Sequence, residues 1–198
     1  MKFIISNRIT TILWVAFLLF IAAFIISRAI KIVPSYIDRG YCCQSLAKGI
    51  DFTKPGLPTF VDNIEGFAGE EPWGRWTDAT KSRSAKIKFR VSLPRKFTLV
   101  LNAHAFGPNT TDPTIIRITS PDPKAPLLEK KLDLNSTPKE YRLDFSIKES
   151  PSANNIEIIP PHPIAPHMID SKSNDYRLIG VGLSSLKIIN NPKIKNAD

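Results

Sequence analysis

The chain has 198 residues and a formal net charge of +9, and the portion after its apolar start has a size suited to one β-sandwich with a single core. Its two cysteines, Cys42 and Cys43, are adjacent, so a disulfide between them would be strained and cannot staple the domain. The three histidines have no zinc-ligand spacing, so we predict no metal site and no cofactor.

Residues 10–27 carry no charge and are flanked by Arg8 and by Arg28 and Lys31. A helix of this length nearly spans a bilayer core about 30 Å thick, and adjoining apolar residues can extend it. The run is longer than the h-region of a signal peptide, and no small-x-small cleavage site follows it. We therefore predict a transmembrane signal anchor over residues 1–33, with a cleaved signal peptide as the alternative.

The anchor prediction places the protein in the inner membrane. The basic residues on the two sides of the span balance, so they do not decide its orientation; a short tail before a large domain favours a periplasmic domain. The sequence then predicts a juxtamembrane linker over residues 34–54, a β-sandwich domain over 55–190 and a polar tail over 191–198.

Alternating patterns beyond the anchor predict strands. In residues 85–91, apolar side chains alternate with Lys86, Lys88 and Arg90, as in a half-buried antiparallel strand with its basic side chains on the opposite face. Residues 141–147 repeat the alternation. The other predicted strands are 97–105, 114–120, 127–134, 155–159 and 178–189.

Proline and Asx clusters separate these strands at short intervals, which is typical of a sandwich of short strands because proline is excluded from central ladders. The apolar side chains of matching parity should form one core between two antiparallel sheets. That predicted core consists of Ile87, Phe89, Leu99, Leu101, Leu143, Phe145, Ile156, Ile158, Val181 and Leu183.

Basic residues are concentrated in one short stretch, from Lys81 and Arg83 to the predicted strand at 85–91. Such a stripe attracts anionic lipid headgroups or phosphorylated glycans when it faces a membrane. The alternative is a solvated sheet face whose lysines oppose aggregation. The anchor and the lack of a recognition motif argue against nucleic acid as a partner.

The motif richest in functional groups contains Trp73, Arg75 and Trp76, close to Glu71. A Trp face stacks on sugar C–H groups, while Arg and Glu form directional hydrogen bonds with hydroxyls, so the set suits carbohydrate. The alternative is a structural role, because two tryptophans three residues apart cannot face the same side of a regular strand. At least one of them is then expected in the core, with Arg75 paired to a carboxylate inside the sandwich.

A second group of candidate ligand residues lies near the end of the predicted strand 97–105. Asn102 and His104 share a face of this strand, and Asn109 follows it. Such a polar rim is suited to holding a ligand, although a structural histidine is the alternative. No pattern brings two carboxylates together or places a serine in a nucleophile elbow, so no catalytic residue is predicted.

Four motifs together resemble a β-sandwich module found at the C-terminal end of bacterial envelope phosphoglycerol transferases and of some membrane glycosyltransferases. The first is the tryptophan motif described above, and the others lie at 93–97, 103–109 and 175–186. They are Leu93-Pro94 with Phe97; Ala103, Ala105, Phe106 and Asn109; and Asp175, Arg177, Gly180, Leu183 and Leu186.

The resemblance implies an all-β, jelly-roll sandwich of the galactose-binding-like type, whose last strand returns beside its opening strand. The catalytic domain of those transferases cannot be matched here, so the resemblance implies their compartment and substrate neighbourhood. We therefore predict a membrane-anchored, non-catalytic envelope domain that binds glycan or polyol-phosphate groups and assists a separately encoded transferase. The alternatives are a protein-interaction scaffold of an envelope complex and a transferase subunit.

The returning last strand would bring Asp175 and Arg177 near Glu71 and Arg75. These oppositely charged groups are expected to lock the sandwich as buried pairs, since an unpaired buried charge is costly. In the alternative they line a polar ligand site. All four residues are therefore candidates for the site.

Overall fold

The computed structural model describes residues 45–120, 128–147 and 153–193. The predicted anchor, Cys42, Cys43 and most of the predicted tail lie outside these ranges. Within them, no helix is both long and apolar enough to cross a membrane.

The described chain forms ten strands, and every pairing between them is antiparallel. The strands are β1 Ile50–Asp51, β2 Val61–Glu65, β3 Arg75–Asp78, β4 Ala85–Phe89, β5 Lys96–Ala105, β6 Thr114–Thr119, β7 Leu128–Leu132, β8 Lys139–Ser146, β9 Asn155–Ile159 and β10 Ile179–Asn190. A 3₁₀ turn, Gly107–Thr110, follows β5, and a one-turn helix α1, Pro166–Ile169, precedes β10.

Two five-stranded sheets make up the fold. The first has the order β1-β10-β5-β8, with β3 also paired to β10, and the second has the order β2-β4-β9-β6-β7. The predicted all-β sandwich of two antiparallel sheets is confirmed. The seven predicted strands are all present, with ends that differ by a few residues.

The sequence did not predict β1, β2 and β3, because none of them shows a sustained alternation. β1 has two residues, β2 contains a register shift between Val61 and Asn63, and β3 has four residues directly after a turn. β1 also falls within the segment predicted as linker. There Ile50 pairs with Leu186 of β10, and Ile50 and Phe52 are buried in the core.

The core lies between the two sheets, as predicted. Nine of the ten predicted core side chains are buried, whereas Leu143 is only partly buried. Leu143 lies on β8, an outer strand of its sheet in the order above, so it has a neighbouring strand on one side among the described residues. Aromatic pairs strengthen the core, since Phe97 and Phe145 stack across β5 and β8 with ring centroids 5.3 Å apart.

The basic stripe predicted on β4 is paired with acids on the outer face of the second sheet. Lys86 Nζ lies 3.3 Å from the carboxylate of Glu157, and Lys88 Nζ lies 2.9 Å from that of Asp62. Arg90 reaches the same Asp62 carboxylate at 3.3 Å. This geometry favours the solvated, ion-paired face over an uncompensated positive stripe.

The closing strand β10 holds the first sheet together. It pairs with β5 along one edge and with both β1 and β3 along the other. The predicted return of the last strand beside the opening strand is therefore confirmed. This arrangement brings β3 and β5, which carry four of the nine predicted site residues, to opposite sides of β10.

Candidate functional site

The outer face of the first sheet carries a group of aromatic side chains. In the register of the sheet, Trp76 of β3 lies opposite Gly182 of β10, which in turn lies opposite His104 of β5. Because Gly182 has no side chain, the two flanking rings approach above it, with centroids 4.8 Å apart. A methyl group on Gly182 would lie 2.5 Å from Cε1 of His104, so the approach requires glycine.

Trp73 joins this group from a tight turn before β3. Glu71 and Gly74 exchange two backbone hydrogen bonds. Gly74 has φ +150°, a backbone conformation that residues other than glycine rarely adopt. The turn lets Trp73 and Trp76 share one side, with ring centroids 4.8 Å apart, which a regular strand would not allow. Trp73 also contacts His104 edge to face at 5.0 Å.

We call Trp73, Trp76, His104 and Phe106 the aromatic cluster; the ring of Phe106 packs on Trp76 at 5.7 Å. All four side chains are half-buried, so each keeps some exposed surface. The expectation that one tryptophan lies in the core is therefore wrong. Partial burial lowers the pKa of His104 below its ordinary value, so its imidazole is neutral at neutral pH.

A chain of charged groups borders the aromatic cluster. The carboxylate of Glu71 accepts hydrogen bonds from Trp73 Nε1 at 2.8 Å and from Arg177 Nη1 at 2.9 Å. Arg177 Nε donates to Asp175 Oδ1 at 2.9 Å. The hydrogen bonds from Arg177 hold the pKa of Asp175 below its usual range, and they raise the pKa of Arg177, so both groups stay charged at neutral pH.

The predicted proximity of Arg177 to Glu71 is thus observed, but it is not a buried lock. The Arg177 side chain is 35% exposed, so solvent screens its ion pairs. Arg75 does not join this group, because alternation along β3 directs it to the opposite face from Trp76. Its guanidinium pairs instead with Glu70, and the Arg75 side chain is 13% exposed.

The two candidate asparagines have different surroundings. Asn102 shares the outer face with His104, as predicted, and its Oδ1 is buried without a hydrogen-bond partner among the described residues. Asn109 is fully buried, and its side-chain amide forms hydrogen bonds with backbone groups. It donates to the carbonyls of Phe106 and His162 and accepts from the His162 N–H. Asn109 therefore joins two loops and is not free to bind a ligand.

Sequence reasoning missed two components of the site, Gly74 and Gly182, and did not assign Phe106 to it. A glycine inside a strand pattern marks a close approach of other groups. The position of Gly182 within the predicted strand 178–189 could therefore have indicated that other side chains approach each other there. Gly74 lay within the motif itself, but its conformation depends on the turn. In the described ranges, no three His, Cys, Asp or Glu residues lie together in a way that could hold a metal ion.

Residues 41–190 match the model of a family described as a domain of unknown function, DUF7024. Over 139 residues the chain is 30% identical to phosphoglycerol transferase I of Salmonella typhi and of Salmonella newport, which confirms the resemblance seen in the motifs. The match covers 70% of this chain and 17% of each relative, so the chain spans only a small part of their length.

The chain is also similar to a solved structure of a carbohydrate-binding module. This module is a mutant of CBM29-2, of family 29, complexed with mannohexaose; it has 15% sequence identity and a TM-score of 0.47. The similarity covers 71% of this chain and 88% of that one.

Proposed function

Because the chain belongs to the DUF7024 family, and because one segment of phosphoglycerol transferase I is similar to it, we propose that it is a glycan-binding domain of the bacterial envelope. Its proposed ligands are glycans and their polyol-phosphate groups, and its proposed role is binding without catalysis. A separately encoded transferase is the proposed partner.

The aromatic cluster is the observation that carries this proposal. Trp73 and Trp76 each contact His104 edge to face. These rings lie above Gly182, which has no side chain to separate them. Rings fixed by mutual contact lose little conformational entropy on binding. Their exposed surface offers apolar area for the C–H groups of a sugar, as indole rings do at other mixed apolar and polar interfaces.

The charged groups beside the cluster supply the polar half of the proposed recognition. Glu71 fixes Trp73 through its indole N–H and is itself fixed by Arg177. Carboxylate and guanidinium groups in fixed positions form directional hydrogen bonds with hydroxyls. The neutral imidazole of His104 can both donate and accept a hydrogen bond, so the site contains partners for both functions of a sugar hydroxyl.

Titration of the full chain with a panel of oligosaccharides that differ in their sugars tests the proposal. Trp73→Ala and Trp76→Ala should each weaken binding about tenfold or more, since buried aromatic anchors dominate binding energies. Val91→Ala is the control, because this exposed apolar side chain lies just after β4 of the second sheet. If neither tryptophan variant changes the affinity, the site is elsewhere; if no glycan binds, the protein-interaction scaffold becomes the better hypothesis.

We propose that residues 1–33 anchor the protein in the inner membrane with its domain in the periplasm, and that the sandwich is a galactose-binding-like jelly roll. External protease should then digest the domain in spheroplasts. Protection in spheroplasts, with digestion only after lysis, would reverse the proposed orientation.

A further inference from the structure

The outer edge of β8 carries backbone groups with which no described strand pairs. β8 lies at one end of the first sheet, with β5 as its neighbour among the described residues. Ile147 donates its N–H to the carbonyl of Arg95, which the register places directly opposite it. Hydrogen-bonded and non-hydrogen-bonded pairs alternate along an antiparallel ladder, so the N–H and C=O groups of Arg142 and Asp144 point away from β5. This edge therefore offers the hydrogen-bonding pattern that a further strand requires.

The side chains of β8 alternate between two faces. The outer face carries the exposed charged side chains Glu140, Arg142 and Asp144. On the inner face, Leu143 lies between two buried aromatic residues and is itself only partly buried. A strand with a charged outer face and an apolar inner face is complementary to a strand of the same pattern, provided that opposite charges meet.

A second copy of β8 could pair with this edge in antiparallel registers that differ by two residues, because a shift of one residue would exchange the two faces. If Arg142 lay opposite its counterpart, like charges would face each other, which destabilises a pair. If the pairing were centred on Tyr141, Pro138 would occupy a hydrogen-bonded position opposite Asp144, and proline has no N–H to donate. A pairing centred on Leu143 avoids both defects.

With the pairing centred on Leu143, both faces of the two strands match. Arg142 of each copy lies opposite Asp144 of the other, which gives two pairs of opposite charge on the outer face. On the inner face, Leu143 lies opposite its counterpart, so the two partly buried side chains cover each other. Tyr141 and Phe145 of the two copies also lie opposite each other, and aromatic cross-strand pairs are stabilising.

We infer that the protein forms a symmetric dimer in which β8 pairs with β8 of a second copy about a two-fold axis at Leu143. Both copies use the same edge, so the assembly closes at two. Lys130 Nζ lies over the ring of Phe145 at 5.7 Å. Lys139 Nζ lies over that of Tyr141 at 4.8 Å. Lysines beside an edge strand oppose pairing, so the dimer is weak and reversible.

The dimer has a consequence for glycan binding, although its formation does not depend on the proposed function. A two-fold axis perpendicular to the sheet keeps the outer faces of both copies on the same side. The two aromatic clusters then lie on one face of a continuous sheet. Two sites on one face can bind a single long glycan, and the second contact benefits from a high effective concentration.

Disulfide cross-linking of the full chain tests the pairing. In a Cys42→Ser/Cys43→Ser background, Leu143→Cys should form a covalent dimer on mild oxidation. The Cα atoms of a non-hydrogen-bonded cross-strand pair lie about 4.5 Å apart, which a disulfide can span. Cross-linking at Tyr141→Cys or Arg142→Cys but not at Leu143→Cys would overturn the register.

Glu140→Cys is the matched control for cross-linking. The Glu140 side chain is 56% exposed, so it is more accessible than Leu143. In the inferred register, however, residue 140 lies about 20 Å from its counterpart, since the two are six residues apart along the strands. Glu140→Cys should therefore stay monomeric on the gel. Cross-linking as efficient as that of Leu143→Cys would indicate random collision and overturn the pairing.

Charge reversal tests the same dimer without cysteines. Sedimentation of the full chain in mild detergent, over a series of concentrations, measures the dissociation constant. Arg142→Asp and Asp144→Arg should each weaken the dimer about tenfold, because each creates two like-charge pairs across the axis. The double variant should recover the wild-type affinity, since it only exchanges the partners. A double variant no tighter than the single ones, or a wild type that is monomeric up to about 1 mM, would overturn the dimer.

Discussion

Replacing Leu99 with Ala should lower the free energy of unfolding by about 3–5 kcal/mol, because it removes buried methyl groups and leaves a cavity that the sandwich cannot close. Leu99 is 0% exposed and lies on β5, with Leu143 of β8 and Ile188 of β10 as its cross-strand neighbours. Chemical denaturation followed by tryptophan fluorescence measures the change.

Leu143→Ala is the matched control for this prediction. It makes the same chemical change at the position directly across from Leu99, but Leu143 is only partly buried. We expect it to cost about 1–2 kcal/mol, since solvent already replaces part of its packing and the site can relax. Equal losses in the two variants would contradict the assigned position of the core between the sheets.

Gly74→Ala should destabilise the domain by about 3 kcal/mol, the upper end of the cost of a strained backbone conformation, and should weaken glycan binding as well. Two effects add here. The residue has φ +150°, which alanine adopts only with strain, and its new methyl group would lie 2.2 Å from the carbonyl oxygen of Leu183. A backbone oxygen inside a sheet cannot move aside, so β3 must shift away from β10. That shift displaces Trp73 and Trp76 from His104.

Gly69→Ala provides the comparison, because a methyl group there meets nothing within 4 Å and no positive φ is involved. We expect its free energy of unfolding to stay within about 0.5 kcal/mol of the wild-type value. The same denaturation experiment measures both variants. A stable Gly74→Ala protein that binds glycan normally would show that the turn before β3 does not hold the aromatic cluster in place.

Much of the fold could be predicted because the alternation of apolar and polar residues in each long strand shows which of its faces is buried. In β4, Ile87 and Phe89 alternate with Lys86 and Lys88, and this alternation alone determines which side chains enter the core. The short strands could not be predicted in the same way. β3 has four residues, so its register is determined by pairing with β10, about a hundred residues further along the chain.

Most residues of the candidate site could be predicted from the sequence, but which of them lie together could not. The proximity of Glu71 and Arg177 followed from the expected return of the last strand. The separation of Arg75 from Trp73 did not, because it depends on where the turn ends and the strand begins. The structural role of Asn109 in joining two loops could not be predicted for another reason. Its amide is occupied by backbone groups of His162, and no local pattern reveals a partner so distant in sequence.

The position of β10 has a consequence for how the protein is made. This strand is the centre of the first sheet, yet it is the last of the ten described strands in chain order. A nascent chain that has emerged only to residue 178 contains β1, β3 and β5 but lacks the strand that joins them. Until that strand arrives, the apolar faces of these segments stay open to unwanted association. The first sheet can therefore close only after β10 has been made, and the emerging chain is exposed to aggregation until then.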